Sequence, residues 1–339
     1  MPAAIETIVD AAFLSDEVYK ESDALTRELG RGWELVSRSE LGLDGLTDAA
    51  LFDGDYLYNV LAGEALVARK GDQLALVFRG TAGPFDILVD LSLPESIFAY
   101  YAQFTVLTDA FKALVASTAG ATGLVTGHSL GGAMAEMFMT YNADPIYEAV
   151  TFGSPGVSPV LPGGVDDRVT NVAHSQDTIA DILVATGNEI LIDLPMMGSG
   201  AITDLDEHAR IRYLESAEML LDTGLFADRA DREIVLGSNA EVDVIDKSDG
   251  DAAYLIAGGD LVDTLIAGAG DDLVHGGSGS DVLIGHAGQD GIHGADGYDN
   301  LFGGDGADAL HGGNDDDRLY AQTPNPKPQT PNPKTFRIF

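Results

Sequence analysis

Residues 258–320 read as seven consecutive nine-residue units: GGDLVDTLI, AGAGDDLVH, GGSGSDVLI, GHAGQDGIH, GADGYDNLF, GGDGADALH and GGNDDDRLY. Aspartate returns at every ninth position, as Asp263, Asp272, Asp281, Asp290, Asp299, Asp308 and Asp317. Two residues after each stands an apolar side chain: Leu265, Val274, Leu283, Ile292, Leu301, Leu310 and Leu319. A flexible Gly/Asp linker has no reason to phase an apolar position. Strict self-similarity of this kind marks a stacked solenoid. The glycines permit tight turns, a short strand follows each turn, and the phased apolar residue points into a narrow core. If nine residues make half a coil, alternate units stack. Asp263, Asp281, Asp299 and Asp317 then form one column, and Asp272, Asp290 and Asp308 the other. Stacked carboxylates repel unless a cation lies between them. Carboxylate and turn-carbonyl oxygens at flexible spacing suit calcium better than magnesium.

This stretch, taken with its upstream flank as residues 236–320, resembles the RTX family of calcium-binding nonapeptide repeats. The resemblance implies a parallel β-roll holding several Ca2+ ions, folded by calcium after export. It also implies type I secretion from a Gram-negative cell to the extracellular space. Upstream, Leu236 to Ala257 reads as worn repeats in which Asp243 and Asp246 stand out of register. Downstream, Thr323-Pro-Asn-Pro-Lys recurs at Thr330-Pro-Asn-Pro-Lys. Residues 321–339 are therefore expected to be an unstructured Pro-rich tail.

Charge follows the same division. The 339 residues carry 18 basic and 55 acidic side chains, a net charge of −37. Between Ala240 and Tyr320 there are 18 acidic residues against Lys247 and Arg318. Such a surface repels nucleic acid and anionic membranes and attracts cations. The chain has no cysteine, and 45% of it is hydrophobic, enough for a packed core. Met1 to Lys20 lacks the basic and apolar regions of a signal peptide. No run is long and apolar enough to span a membrane.

Before residue 235 the pattern is different. Glu64–Arg69 and Gln73–Phe78 read as a hairpin turning at Lys70-Gly71. A helix is expected over Glu95–Ser117, a short buried strand over Leu124–Thr126 and a helix over Gly131–Tyr141. Strands follow at Glu148–Phe152 and Arg168–Ala173, then a helix at Asp206–Leu221. Strands alternating with helices point to an α/β sheet with parallel crossovers. Between strand and helix lies Gly127-His-Ser-Leu-Gly131, a G-x-S-x-G elbow. There the backbone bends sharply and is expected to expose the Ser129 hydroxyl at a helix N-terminus, where negative charge is favoured.

Four segments, in order, resemble the fungal-type class 3 lipases: Val77-Phe-Arg-Gly-Thr81, Val125-Thr-Gly-His-Ser-Leu-Gly-Gly-Ala133, Val150-Thr-Phe-Gly-Ser-Pro155 and His174-Ser-Gln-Asp177. The resemblance implies an α/β-hydrolase domain over residues 1–235 with the catalytic set Ser129, Asp177 and His208. Ser129 attacks an ester carbonyl, His208 takes and returns its proton, and Asp177 orients the imidazole. The backbone N–H groups of Thr81 and Leu130 would form the oxyanion hole. Asp181 competes with Asp177 as the acid, and His174 and His128 compete with His208 as the base. Residues 83–91, with Phe85, Ile87, Leu88 and Leu91, fall where the family has a lid. Phe98, Tyr100, Tyr101 and Phe104 serve either as an acyl groove or as ordinary core.

The expected fold is thus α/β: an α/β-hydrolase domain followed by a C-terminal parallel β-roll. The expected function is a secreted, monomeric serine hydrolase acting on lipid esters, as a lipase or phospholipase A1. A short-chain carboxylesterase and a non-catalytic calcium-binding surface protein are the competing readings.

Overall fold

The structure, a computed structural model, describes residues 3–20, 25–45, 52–60, 63–80, 94–157, 166–174, 188–193, 205–228, 232–237, 243–321 and 336–337. The chain divides into two compact units. One is Met1–Ile190 with Ile202–Leu214, the other Leu191–Ala201 with Glu215–Phe339.

The first unit is built on a sheet of β1 (Glu34–Leu35), β2 (Phe52–Asp53), β3 (Leu57–Val60), β4 (Gly63–Lys70), β5 (Gln73–Phe78), β6 (Thr122–His128), β7 (Tyr147–Phe152) and β8 (Val169–His174). Strands β2 to β8 lie side by side in chain order, with β1 also pairing β4. The pairs up to β4–β5 are antiparallel. From β5 onward the pairs are parallel, as the strand–helix alternation predicts. Each parallel step needs a crossover. Helices α2 (Pro94–Ala102) and α3 (Thr105–Ser117) lie between β5 and β6, and α4 (Leu130–Tyr141) lies between β6 and β7.

The single helix expected over Glu95–Ser117 is two helices. The break falls where Gln103 and Phe104 donate to carbonyls only three residues back, at Tyr100 and Tyr101. Thr105 Oγ1 caps the Ala102 carbonyl at 2.7 Å. The apolar spacing continues through the break because Phe104 is itself a core residue, fully buried against Phe78. Phe98, Tyr100 and Tyr101 pack partly buried on the same cluster. Tyr101 stacks on Tyr141 at 5.7 Å, so these aromatics pack on the core. Met134, Met137 and Met139 fill the same core behind the elbow.

Alternation along β6 places the two layers. Val125 joins the cluster with α2, α3 and α4. Thr126, one residue on, takes a 2.9 Å hydrogen bond with Ser15 of an N-terminal helix, α1 (Ile5–Glu17). Helix α1 packs against β6 and β7 through its buried Ile8, Val9, Ala11, Ala12 and Leu14. Asp10 on this helix is also buried, and it is paired at 2.9 Å with Arg31 and at 2.6 Å with Lys70. A buried carboxylate persists only when paired, so this triad ties α1 to the β4–β5 hairpin.

The second unit is a two-sheet coil. One sheet orders β11 (Val244–Asp246), β13 (Thr264–Ile266), β15 (Val282–Ala287), β17 (Asn300–Asp305) and β19 (Arg318–Tyr320). The other contains β9 (Asn188–Asp193), β10 (Glu233–Leu236), β12 (Tyr254–Ala257), β14 (Leu273–Ser278), β16 (Gly291–Asp296) and β18 (Ala309–Asn314). All these neighbours run parallel, and Leu265↔Leu283↔Leu301↔Leu319 and Val274↔Ile292↔Leu310 are in direct register. The phased apolar residues form one core, with Leu319 at its edge. The stacking of alternate nonads therefore holds residue by residue.

Two expectations need correction. Asp243 stands out of the nine-residue count, yet its N–H donates to Asp263 Oδ1 at 2.8 Å and it occupies the head of the first column. The register there is Ile245↔Leu265. The two extra residues are absorbed in a turn where Gly250 N–H reaches the Lys247 carbonyl. In the tail, Phe336–Arg337 pairs antiparallel with Ala309–Leu310 of β18. An edge strand offers a row of unpaired backbone groups to any extended segment, and Thr335-Phe-Arg-Ile-Phe339 is the part of the tail with strand-forming side chains. Residues 322–335 lie outside the described residues.

Candidate active site and carboxylate columns

Ser129 sits at the end of β6 and at the N-cap of α4, with φ 56° and ψ −127°. A non-glycine residue in this region costs about 1–3 kcal/mol and persists only where the surroundings impose it. Here the Ser129 N–H donates to the Phe152 carbonyl at 2.9 Å, and the Ser129 carbonyl accepts from Gly132 N–H at 2.9 Å. The flanking glycines are needed for close approach. A Cβ on Gly131 would lie 2.2 Å from the Phe78 carbonyl oxygen, and one on Gly127 would lie 2.4 Å from the Gly131 carbonyl carbon. Helix α4 can thus press directly on the end of β5. Behind it, buried Glu136 accepts a 2.6 Å hydrogen bond from Ser154 Oγ, which locks α4 to the turn after β7.

The elbow does not leave its hydroxyl open, as the sequence suggests. Ser129 is 3% exposed, and its Oγ has no hydrogen-bond partner among the described residues. The end of β5 is close on one side, where a Cβ on Gly80 would stand 3.2 Å from Ser129 Cβ.

Leu130 is the first residue of α4, and its N–H belongs to the helix N-terminus beside Ser129. His128 is buried, with Nδ1 3.3 Å from Tyr19 Oη and its ring 5.7 Å from Tyr213. His208 falls in the first turns of α5 (Leu205–Asp222). Five residues further along α5, about 7.5 Å along the helix axis, Tyr213 is buried against His128 and Phe152. The helix carrying His208 is therefore docked against the ends of β6 and β7. Thr81, Asp177, Asp181 and residues 83–91 lie outside the described residues, and the side chains of His174 and His208 are not described.

In the coil, each column aspartate accepts one backbone N–H through Oδ1, and Asp263 and Asp272 accept a second through Oδ2. The Oδ1 atoms of Asp281, Asp299 and Asp317 accept the N–H of Asp263, Asp281 and Asp299 one coil earlier. Asp290 and Asp308 do the same for Asp272 and Asp290. The second oxygen lies inside the turn, where Gly259 N–H donates to Asp263 Oδ2 at 2.9 Å and Gly268 N–H to Asp272 Oδ2 at 3.1 Å. Asp281, Asp290 and Asp299 are buried, and their Oδ2 atoms have no hydrogen-bond partner among the described residues. Burial, reinforced by neighbouring column carboxylates, pushes Asp281 and Asp290 up to about 7 and Asp299 to about 6. Among the described residues no three acidic or His side chains converge on one point. A cation here would be held by single carboxylates and turn carbonyls, a donor set of the kind calcium accepts.

The comparisons with known proteins agree with both halves. Residues 75–186 match the family described as lipase (class 3), and residues 257–292 and 290–319 match the RTX calcium-binding nonapeptide repeat. The chain carries a class 3 lipase domain followed by RTX calcium-binding repeats. The extracellular lipase LipA from Serratia marcescens superposes with a TM-score of 0.60 at 19% identity, covering 80% of this chain and 54% of its own. This chain thus spans about half the length of that lipase. The Lip2 lipase from Yarrowia lipolytica gives a TM-score of 0.40 at 16% identity, covering 56% of this chain and 79% of its own. No curated protein sequence matches the chain.

One face of the RTX roll carries stacked imidazoles. His275, His293 and His311 lie in register, with ring centroids 4.9 and 4.5 Å apart. Burial, then the neighbouring His293, lowers His275 from 6.5 to about 4. A histidine lowered on folding favours the native state fully above its unfolded value. That contribution is lost as pH falls from 6.5 towards 4, because only the unfolded chain takes up the proton. The melting temperature of the calcium-loaded protein is expected to fall over this window. His275→Gln should show a shallower fall, and the difference between the two melting curves isolates the imidazole from any change in calcium affinity.

Proposed function

We propose that the chain hydrolyses carboxylic esters of lipids through Ser129, His208 and Asp177, as a lipase or phospholipase A1. The observation that supports it most is the strained, buried Ser129, whose hydroxyl is unpartnered among the described residues at a helix N-terminus. Ser129 Oγ attacks the ester carbonyl and transfers its proton to His208. The oxyanion is held by the N–H groups of Thr81 and Leu130, such donors typically contributing about 3 kcal/mol each. His208 then protonates the leaving alcohol, and water releases the acyl group by the reverse sequence.

The RTX roll binds calcium through Asp263, Asp272, Asp281, Asp290, Asp299, Asp308 and Asp317 together with turn carbonyls, and the protein acts as a monomer outside the cell after type I export. Calcium supplies the positive charge that the buried column carboxylates need. The test is labelling with a fluorophosphonate, followed by a chain-length series of p-nitrophenyl esters. Modification at Ser129 with turnover extending to long acyl chains is the expected result. Labelling elsewhere rejects the assignment, and turnover confined to acetate and butyrate replaces the lipid ester by a short-chain one.

A further inference from the structure

We infer that Tyr19, just beyond α1, is a positioning residue that ties the end of β5 to the nucleophile elbow. The inference rests on the hydrolase reading above. Strands β5 and β6 are joined by ladder pairing as far as Phe78↔Gly127. Beyond that pair lie Gly80, which precedes Thr81, and His128, which precedes Ser129 and Leu130. The end of β5 and the elbow therefore run on past the last pair of their ladder. Tyr19 spans the gap between them with one atom. Gly80 N–H donates to Tyr19 Oη at 3.1 Å, and the same Oη lies 3.3 Å from His128 Nδ1.

The bonding directions are consistent. Oη accepts from Gly80, and it can donate its own proton to His128 Nδ1 when the His128 ring proton resides on Nε2. The tyrosine ring is itself fixed. The Arg79 guanidinium lies 5.1 Å over it, and Arg79 is anchored by an ion pair with Glu64 and a 2.9 Å bond from its N–H to the Glu64 carbonyl. The gap is also closed to any side chain at residue 80, where a Cβ would stand 2.6 Å from both the His128 carbonyl oxygen and Tyr19 Oη. Backbone donors aimed at a developing oxyanion work only when preorganised, and a misplacement of about 1 Å can cost about 100-fold in rate.

Tyr19→Phe keeps the ring and its contact with Arg79 and removes only the bridging hydroxyl. The expected result is a kcat lowered about 10- to 100-fold with KM within about 3-fold of the parent, and altered ring-nitrogen chemical shifts for His128. His128→Asn, which retains an acceptor near the Nδ1 position, should preserve most of kcat, whereas His128→Leu should reproduce the Tyr19→Phe defect. A Tyr19→Phe enzyme with parental kcat, or one impaired in KM alone, overturns the positioning role. Unchanged His128 nitrogen shifts in Tyr19→Phe overturn the bridge itself. A parent protein that turns over no ester defeats the hydrolase reading instead, and the nitrogen shifts still decide the bridge.

Discussion

Ser129→Ala is expected to lower ester turnover by at least about 10,000-fold, the scale of losing a serine nucleophile that works as a unit with its base. The loss should fall on kcat, since the oxyanion donors and the acyl contacts remain. Folding should be nearly unaffected. The hydroxyl at residue 129 makes no hydrogen bond among the described residues, so its removal leaves no partner there unsatisfied. The strained φ of 56° is imposed by the Phe152 and Gly132 backbone bonds, which alanine retains. Parallel measurements of turnover and circular dichroism check both halves of the expectation. A variant that keeps near-parental activity with an unchanged fold would remove Ser129 from the chemistry.

Chelation with EGTA is expected to melt residues 243–320 while the lipase domain keeps its secondary structure. The column carboxylates are the reason. At neutral pH an ionised Asp281, Asp290 or Asp299 is buried beside like charges one coil away, and burial already holds all three well above the ordinary carboxylate range. From Val274 onward the core of the roll is one apolar residue per half-coil, too narrow to offset repulsion along both columns. A solenoid is stabilised chiefly by nearest-neighbour interfaces, so the loss should spread along the stack. The β-sheet dichroism of the roll should fall on EGTA addition and return with excess calcium. Superimposable spectra with and without chelator would show that the roll needs no cation.

The roll was the most legible part of this protein because each of its contacts repeats locally. An aspartate and an apolar residue at fixed positions of every nonad specify turn, strand, core and column together. The misreading of Asp243 came from counting residues where the structure counts backbone bonds. An enlarged turn changes the first without changing the second. The elbow was legible for a related reason: Gly127, Ser129 and Gly131 meet one steric demand within five residues.

The amino-acid sequence by itself determined the two-part architecture, the elbow at Ser129 and the aspartate columns, since each depends on residues close together in the chain. Only the tertiary structure decided that Ser129 is buried, that Asp10 ties α1 to the hairpin, and that Tyr19 bridges Gly80 and His128. Those pairings join positions 60 to 109 residues apart. No local pattern encodes them, because they arise from where the sheet brings distant backbone together.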